Sequence, residues 1–268
     1  IMSTKFFNHK NGQIAYDVTG EGPLVVCVPS LGDVRAEYRF LVPQLVKAGY
    51  RVATMDVRGH GESSTEWDDF SVAAIGDDIL ALVRELNAGP AVVVGTSMGA
   101  GAAIWSAVEA PELVRGMILV DPFVDGDSNG PLVFLMSIMF ARPWGPSLWT
   151  KYYSSLYPTC KPADFDSYVS TLYANMRQPG RIESVVAMLR ASKRASGERM
   201  PKVKQPALVL MGSKDPDFKH PEAEAERVAE AVRGEYKIIQ DAGNYPHVEM
   251  PDTTVPLMIA FLDSLRKG

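Results

Sequence analysis

One serine in this sequence stands in a setting that makes a nucleophile of it. Ser97 lies in Gly95-Thr96-Ser97-Met98-Gly99, directly after the apolar run 91–94 and directly before the small-residue stretch 100–103. A G-x-S-x-G pentapeptide between a strand and a helix forces a sharp turn that holds the serine in a strained backbone conformation at the end of the strand. The glycines two positions on either side remove side chains that would collide across the turn. The following helix adds the positive end of its dipole beside any oxyanion that develops.

A serine hydroxyl is a weak nucleophile at neutral pH, so a base must take its proton and a third group must orient that base. The chain has four histidines. His9, His60 and His220 fall in a terminal segment, a glycine-flanked loop and a helix entry, where turn or surface roles suffice. His247 follows the last strand-like run, where a loop emerges on the same edge of the sheet as Ser97, and is the expected general base. In the chain order serine, acid, histidine, Asp215 is the expected acid, because Gly212-Ser213-Lys214-Asp215 directly follows the run 207–211. Asp121, at the end of the run 117–120, is its competitor. Two backbone N–H donors are needed for a tetrahedral oxyanion. Met98, the residue after the serine, supplies one, and Leu31, in the loop that follows the run 24–28, is expected to supply the other.

The elements that must position these residues follow from the hydrophobic pattern. Short β-branched or apolar runs at 14–18, 24–28, 52–55, 91–94, 117–120, 207–211 and 236–239 alternate with helix-patterned stretches. That alternation predicts an α/β fold with a mostly parallel central sheet flanked by helices. Residues 71–86 carry Ile75, Ile79, Leu82, Val83 and Leu86 on one helical face, and 223–232 and 255–265 read as two further helices. Between 122 and 200 the alternation stops and aromatics, Met and Pro accumulate, which predicts a helical cap inserted into a core made of 1–121 and 201–268. Ser30, Phe123, Phe134, Met139, Trp144, Trp149 and Tyr153 are the expected lining of a pocket for a small apolar or aromatic substrate.

Composition bounds the alternatives. With 46% hydrophobic and 22% charged residues the chain has the balance of a globular protein, and a net charge of −5 with scattered Lys and Arg provides no footprint for nucleic acid or anionic lipid. The longest strongly apolar run, 131–141, is too short for a membrane span. Cys27 and Cys160 have neither pairing nor metal spacing and are expected as free thiols in a cytoplasmic protein. No metal, nucleotide or other cofactor is expected, since Arg58-Gly59-His60-Gly61 lacks the ending of a phosphate loop and no His, Cys and carboxylate set has ligand spacing. The oligomeric state stays open, because an apolar cap surface serves a pocket or a subunit contact equally well.

Pro29 to Asp33, Asp56 to Ser63, Gly95 to Gly99, Gly212 to Asp215 and His247-Val248-Glu249-Met250-Pro251 together resemble successive landmarks of the α/β-hydrolase superfamily, in particular its esterase, perhydrolase and carbon–carbon hydrolase branch. The resemblance spans nearly the whole chain and implies Ser97, Asp215 and His247 as triad, Leu31 and Met98 as oxyanion donors, and a helical cap after the sixth strand. It departs from the pattern at Pro29-Ser30, where relatives commonly carry His-Gly. A serine nucleophile argues against the haloalkane dehalogenase and epoxide hydrolase branches, which need a carboxylate there. The expected activity is hydrolysis of a small carboxylic ester through an acyl-serine. Carbon–carbon hydrolysis of a diketone-like substrate and acyl transfer or peroxyacid formation are alternatives, and a binding protein on a hydrolase scaffold has less support.

Overall fold

The structure, a computed structural model, describes residues 4–125 and 130–267. Residues 126–129, inside the expected cap, lie outside the described residues. Eight strands form one sheet: β1 (Lys5–His9), β2 (Gly12–Thr19), β3 (Leu24–Val28), β4 (Arg51–Met55), β5 (Ala91–Thr96), β6 (Val114–Val120), β7 (Ala207–Gly212) and β8 (Glu235–Ile239). Their spatial order is β1-β2-β4-β3-β5-β6-β7-β8. The β1–β2 and β2–β4 pairs are antiparallel and every later pair is parallel. Seven strands fall on the predicted runs. The eighth, β1, was not expected, because KFFNH buries only its middle residue, Phe7, and carries no periodic signal of its own.

The central strands β3, β5 and β7 are buried along their whole length, which is why they read as continuous apolar runs rather than as alternation. The two faces separate at period two. Leu24, Val26 and Val28 of β3 join a core shared with helices α2 (Val72–Leu86), α3 (Met98–Glu109) and α9 (Pro221–Val232), whereas Val25 and Cys27 join the core under α1 (Leu41–Lys47) and α11 (Pro251–Lys267). Cys27 is buried and Cys160 exposed, and both are free. Helix α2 begins where Ser71 Oγ accepts from the Ala74 N–H (3.2 Å) and ends at Asn87 in the left-handed conformation.

Between β6 and β7 the regular elements of the described residues are all helical: α4 (Pro131–Met139), α5 (Gly145–Ser155), α6 (Phe165–Met176), α7 (Arg181–Arg190), α8 (Arg194–Gly197) and a short 3-10 helix, Met200–Lys202. Their aromatics pack as two clusters, Tyr153, Tyr157, Phe165 and Tyr168 against Tyr245, and Phe140 and Trp149 against Ile182 and Val185. A one-turn helix, α10 (Pro246–Glu249), separates the last strand from α11. No described helix is long and apolar enough to cross a membrane.

Candidate active site

Ser97 occupies the turn from β5 into α3 with φ 53° and ψ −113°. A non-glycine residue held there costs on the order of 1–3 kcal/mol, and surrounding contacts must over-determine it. Its N–H donates to the Val120 carbonyl (2.8 Å), and its carbonyl accepts from the amides of Ala100 (3.1 Å) and Phe123 (3.2 Å). A Cβ on Gly95 would lie 2.3 Å from the Gly99 oxygen, and one on Gly99 would lie 2.4 Å from the Val28 oxygen. Both glycines are therefore required by close backbone approach, the second by contact of the helix N-terminus with the end of β3.

A cavity of about 340 Å³ lies over Ser97, in the size range of small-ligand sites. Of the residues expected there, Ser30, Leu31, Met98, Phe123 and Trp149 line it. The others do not. Phe134, Met139 and Trp144 are exposed by 61%, 41% and 50%; on α4 the turn that faces the cavity presents Val133 and Met136 and sends Phe134, Leu135, Ile138 and Met139 outward. Tyr153 is wholly buried beside the cavity wall, with its hydroxyl on Asp33 (3.0 Å) and Tyr157 (2.9 Å). Lining residues that the sequence did not mark include Lys193, Asp217, Asn244 and Tyr245.

The largest correction concerns the base. His247 is not among the residues that line the cavity, and no hydrogen bond joins it to Ser97 or Asp215 among the described residues. It has no solvent exposure, its ring stacks on Tyr38 (centroids 5.2 Å apart), and Nε2 lies 3.2 Å from Glu37 Oε1. The chain turns at Pro246 into α10, and that turn delivers His247 to the short 3-10 helix Arg35–Arg39 instead of to the serine.

The side chain joined to Asp215 is Asn244. Its amide Nδ2 donates to Asp215 Oδ2 (2.8 Å), and Asn244 lines the cavity together with Ser97. In a triad the base is the residue that hydrogen-bonds the acid on one side and faces the nucleophile on the other. Asn244 meets the first criterion and shares the cavity with Ser97. An amide nitrogen has its lone pair delocalised into the carbonyl, so it holds a geometry but takes no proton.

The two candidate acids differ in their contacts. Asp121 Oδ1 accepts from the Gly212 N–H (2.9 Å) and does not reach Asn244. Burial, reinforced by the charge of Asp215, holds the Asp121 carboxyl well above its usual range. Asp215 accepts from Asn244 and, through Oδ1, from the Asp217 N–H (2.9 Å), and burial raises it against those two bonds. Asp217 is pushed up to about 6 by burial and by Asp215, while the Tyr152 hydroxyl, 2.7 Å from Oδ1, opposes the shift. Among the described residues no group of three His, Cys, Asp or Glu is arranged to hold a metal ion.

His60, which the sequence placed in a structural turn, supports the site directly. Its Nε2 accepts from the Gly32 N–H (3.0 Å), one residue beyond Leu31, and its Nδ1 lies 3.0 Å from the Arg58 carbonyl. Both bonds form together only in the neutral Nδ1–H tautomer. Burial first, and the Arg181 charge in addition, lower its pKa from 6.5 to about 4. A histidine depressed on folding contributes stability that is complete above its unfolded value and is lost as pH falls toward the folded value. The stability difference between the wild type and His60→Gln in urea titrations is therefore expected to shrink between pH 7 and pH 4.5, by on the order of 1–3 kcal/mol. Asp33, raised to about 7 mainly by burial, tilts the pH dependence the other way but is common to both proteins and cancels. A difference that does not move with pH would show that His60 is not held neutral.

Comparison with known proteins agrees with this geometry at the level of the fold. Residues 23–251 match the family model for the alpha/beta hydrolase fold. The chain is 31% identical over 128 residues to bifunctional epoxide hydrolase 2 of Sus scrofa, covering 46% of this chain and 22% of that protein. It is 30% identical over 123 residues to 2-(acetamidomethylene)succinate hydrolase of Mesorhizobium japonicum, covering 44% and 43%. The chain thus spans less than half the length of these curated relatives. Among solved structures, the enol-lactonase of Burkholderia xenovorans superposes with a TM-score of 0.84 at 21% identity, covering 97% of this chain and 100% of that one. A thermophilic esterase of Thermogutta terrifontis superposes with a TM-score of 0.81 at 22% identity, covering 98% and 99%.

Proposed function

The chain belongs to the α/β hydrolase fold family, and from that membership and the geometry around Ser97 we propose that it takes a small, mainly apolar carboxylic ester or related acyl compound at this serine and turns it over slowly. One observation carries the reading: the position hydrogen-bonded to Asp215 and facing the cavity holds Asn244. The strained serine and the amides of Met98 and Leu31 remain suited to bind a carbonyl and polarise it. Among the described residues that line the cavity there is no histidine to take the serine proton, and that general-base contribution is worth about 10²–10⁴ in rate. Carbon–carbon cleavage and acyl transfer on the same serine need the same proton transfer, so Asn244 slows all three alike. The cavity walls, among them Leu31, Phe123, Met136 and Trp149, favour an apolar acyl portion.

The test is release of p-nitrophenol from esters of increasing acyl length by the wild type and by Ser97→Ala, with slow phosphonate labelling of Ser97 followed by mass spectrometry. The expected result is weak turnover that disappears in Ser97→Ala, with a maximum at a short or medium chain. Turnover near the ~10 s⁻¹ common among enzymes would mean that a base other than residue 244 is at work. Absence of both Ser97-dependent release and labelling would remove the serine from the reaction.

A further inference from the structure

Lys193 is an ammonium group in the wall of an otherwise largely apolar cavity. It follows α7, is 6% exposed, and lines the same space as Ser97. Its Nζ donates to the carbonyls of Leu189 (2.8 Å) and Met188 (3.2 Å) at the end of α7. A lysine that merely capped this helix would extend its head into water, because the four-carbon stem is long enough to do so. Here the head is turned inward. An ammonium carries three donors, and two are used. Among the described residues no carboxylate pairs with it, and burial alone, with no neighbouring charge among the causes, lowers its pKa to about 8. Asp217, the carboxylate that shares the cavity, is held by the Tyr152 hydroxyl through both of its oxygens. A buried charge without a partner is costly, and the cost is relieved by a ligand that brings the opposite charge.

We infer that Lys193 selects the substrate: the acyl compound received over Ser97 carries a carboxylate, which pairs with the third Nζ donor while the apolar remainder lies along the walls. The ligand class is therefore an anionic acyl compound such as a half-ester of a dicarboxylic acid. This inference rests on the reading of the cavity as an acyl site, but its test does not need turnover. The probes are two unreactive anilides of similar length, adipic acid monoanilide, which carries a carboxylate, and heptanoic acid anilide, which does not. Binding is measured by calorimetry at pH 7 to the wild type, Lys193→Met and Lys193→Arg, each with its melting temperature recorded.

The wild type is expected to bind the carboxylate anilide about 10- to 100-fold more tightly than the neutral one, the range for a charge-assisted hydrogen bond. Lys193→Met should lose that preference while holding the neutral anilide within about threefold of wild type, and Lys193→Arg should keep part of it. Equal binding of the two anilides by the wild type, or a preference that survives in Lys193→Met, overturns the inference and leaves the acyl site standing. Equal weakening of both anilides in Lys193→Met assigns the lysine a structural role and likewise overturns it. If neither anilide binds the folded wild type, the acyl-site reading falls and takes the inference with it.

Discussion

Asn244→His is expected to raise ester turnover by about 10²-fold or more, the contribution of a positioned general base. The side chains are related atom by atom at the point that matters. In asparagine Nδ2 is bonded to Cγ, and in histidine Nδ1 is bonded to Cγ, so a histidine at 244 can donate to Asp215 Oδ2 along the bond that Asn244 already makes at 2.8 Å. The rest of the imidazole is then expected to extend into the cavity that Ser97 shares, leaving Nε2 unprotonated and available to the hydroxyl. Three controls give the result its meaning. Ser97→Ala in the Asn244→His background should abolish the gain, and Asp215→Asn in that background should remove most of it by favouring the wrong tautomer. His247→Gln should leave it in place at matched fold integrity, since His247 stacks on Tyr38 beside Glu37 and does not enter the cavity. The gain should also bring an acid limb to the pH–rate profile as the new imidazole protonates. No gain in a folded, phosphonate-reactive Asn244→His protein would show that the 244 position is not where the proton goes.

The sequence pointed to the loop after the last strand but to a residue three positions beyond the one that the structure joins to Asp215. Searching for a histidine near the end of the last strand selects His247, because only four histidines exist and the other three stand elsewhere. Searching for the first side chain beyond the glycine turn after β8 selects Asn244, three residues earlier. On a turn that enters a helix, three residues change the direction of a side chain from the cavity to the interior. Chain order and loop chemistry favoured Asp215 over Asp121, and in the structure the first of these bonds to the loop after β8 while the second accepts from the Gly212 amide. The sheet was legible because buried parallel strands leave unbroken apolar runs. The cavity lining was legible only in part, because aromatic content does not tell which side of a helix faces inward. On α4 the large Phe134 points out and the adjacent Val133 points in. Lys193 left no signal at all, since a lone lysine between two helices looks like any surface lysine until its burial is known.

The second large effect concerns the loop that carries His60 and holds the Gly32 amide beside Leu31. Arg58 and Asp78 are 2% and 0% exposed and form a two-pronged pair, Nε to Oδ2 and Nη2 to Oδ1, both at 2.8 Å. The guanidinium also donates to the carbonyls of Asp69 (2.6 Å) and Ala74 (2.9 Å) and lies 4.4 Å over the Trp67 ring. Removing one member of a buried pair strands the other, so Asp78→Ala is expected to cost about 3–5 kcal/mol in urea unfolding at pH 7. Arg58→Met should cost less, because Asp78, already raised by burial, can take up a proton, whereas arginine cannot shed one. The double variant Arg58→Met with Asp78→Leu should be more stable than Asp78→Ala alone, a non-additivity that separates desolvation from lost packing. The site should feel the loss as well. Arg58 is two residues from His60, whose Nε2 fixes the Gly32 amide beside Leu31, so Asp78→Ala should slow phosphonate labelling of Ser97 even at temperatures where the protein stays folded. An Asp78→Ala protein within 1 kcal/mol of wild type and labelled at the same rate would mean that the pair neither stabilises this loop nor holds the segment around Leu31 and Gly32 in place.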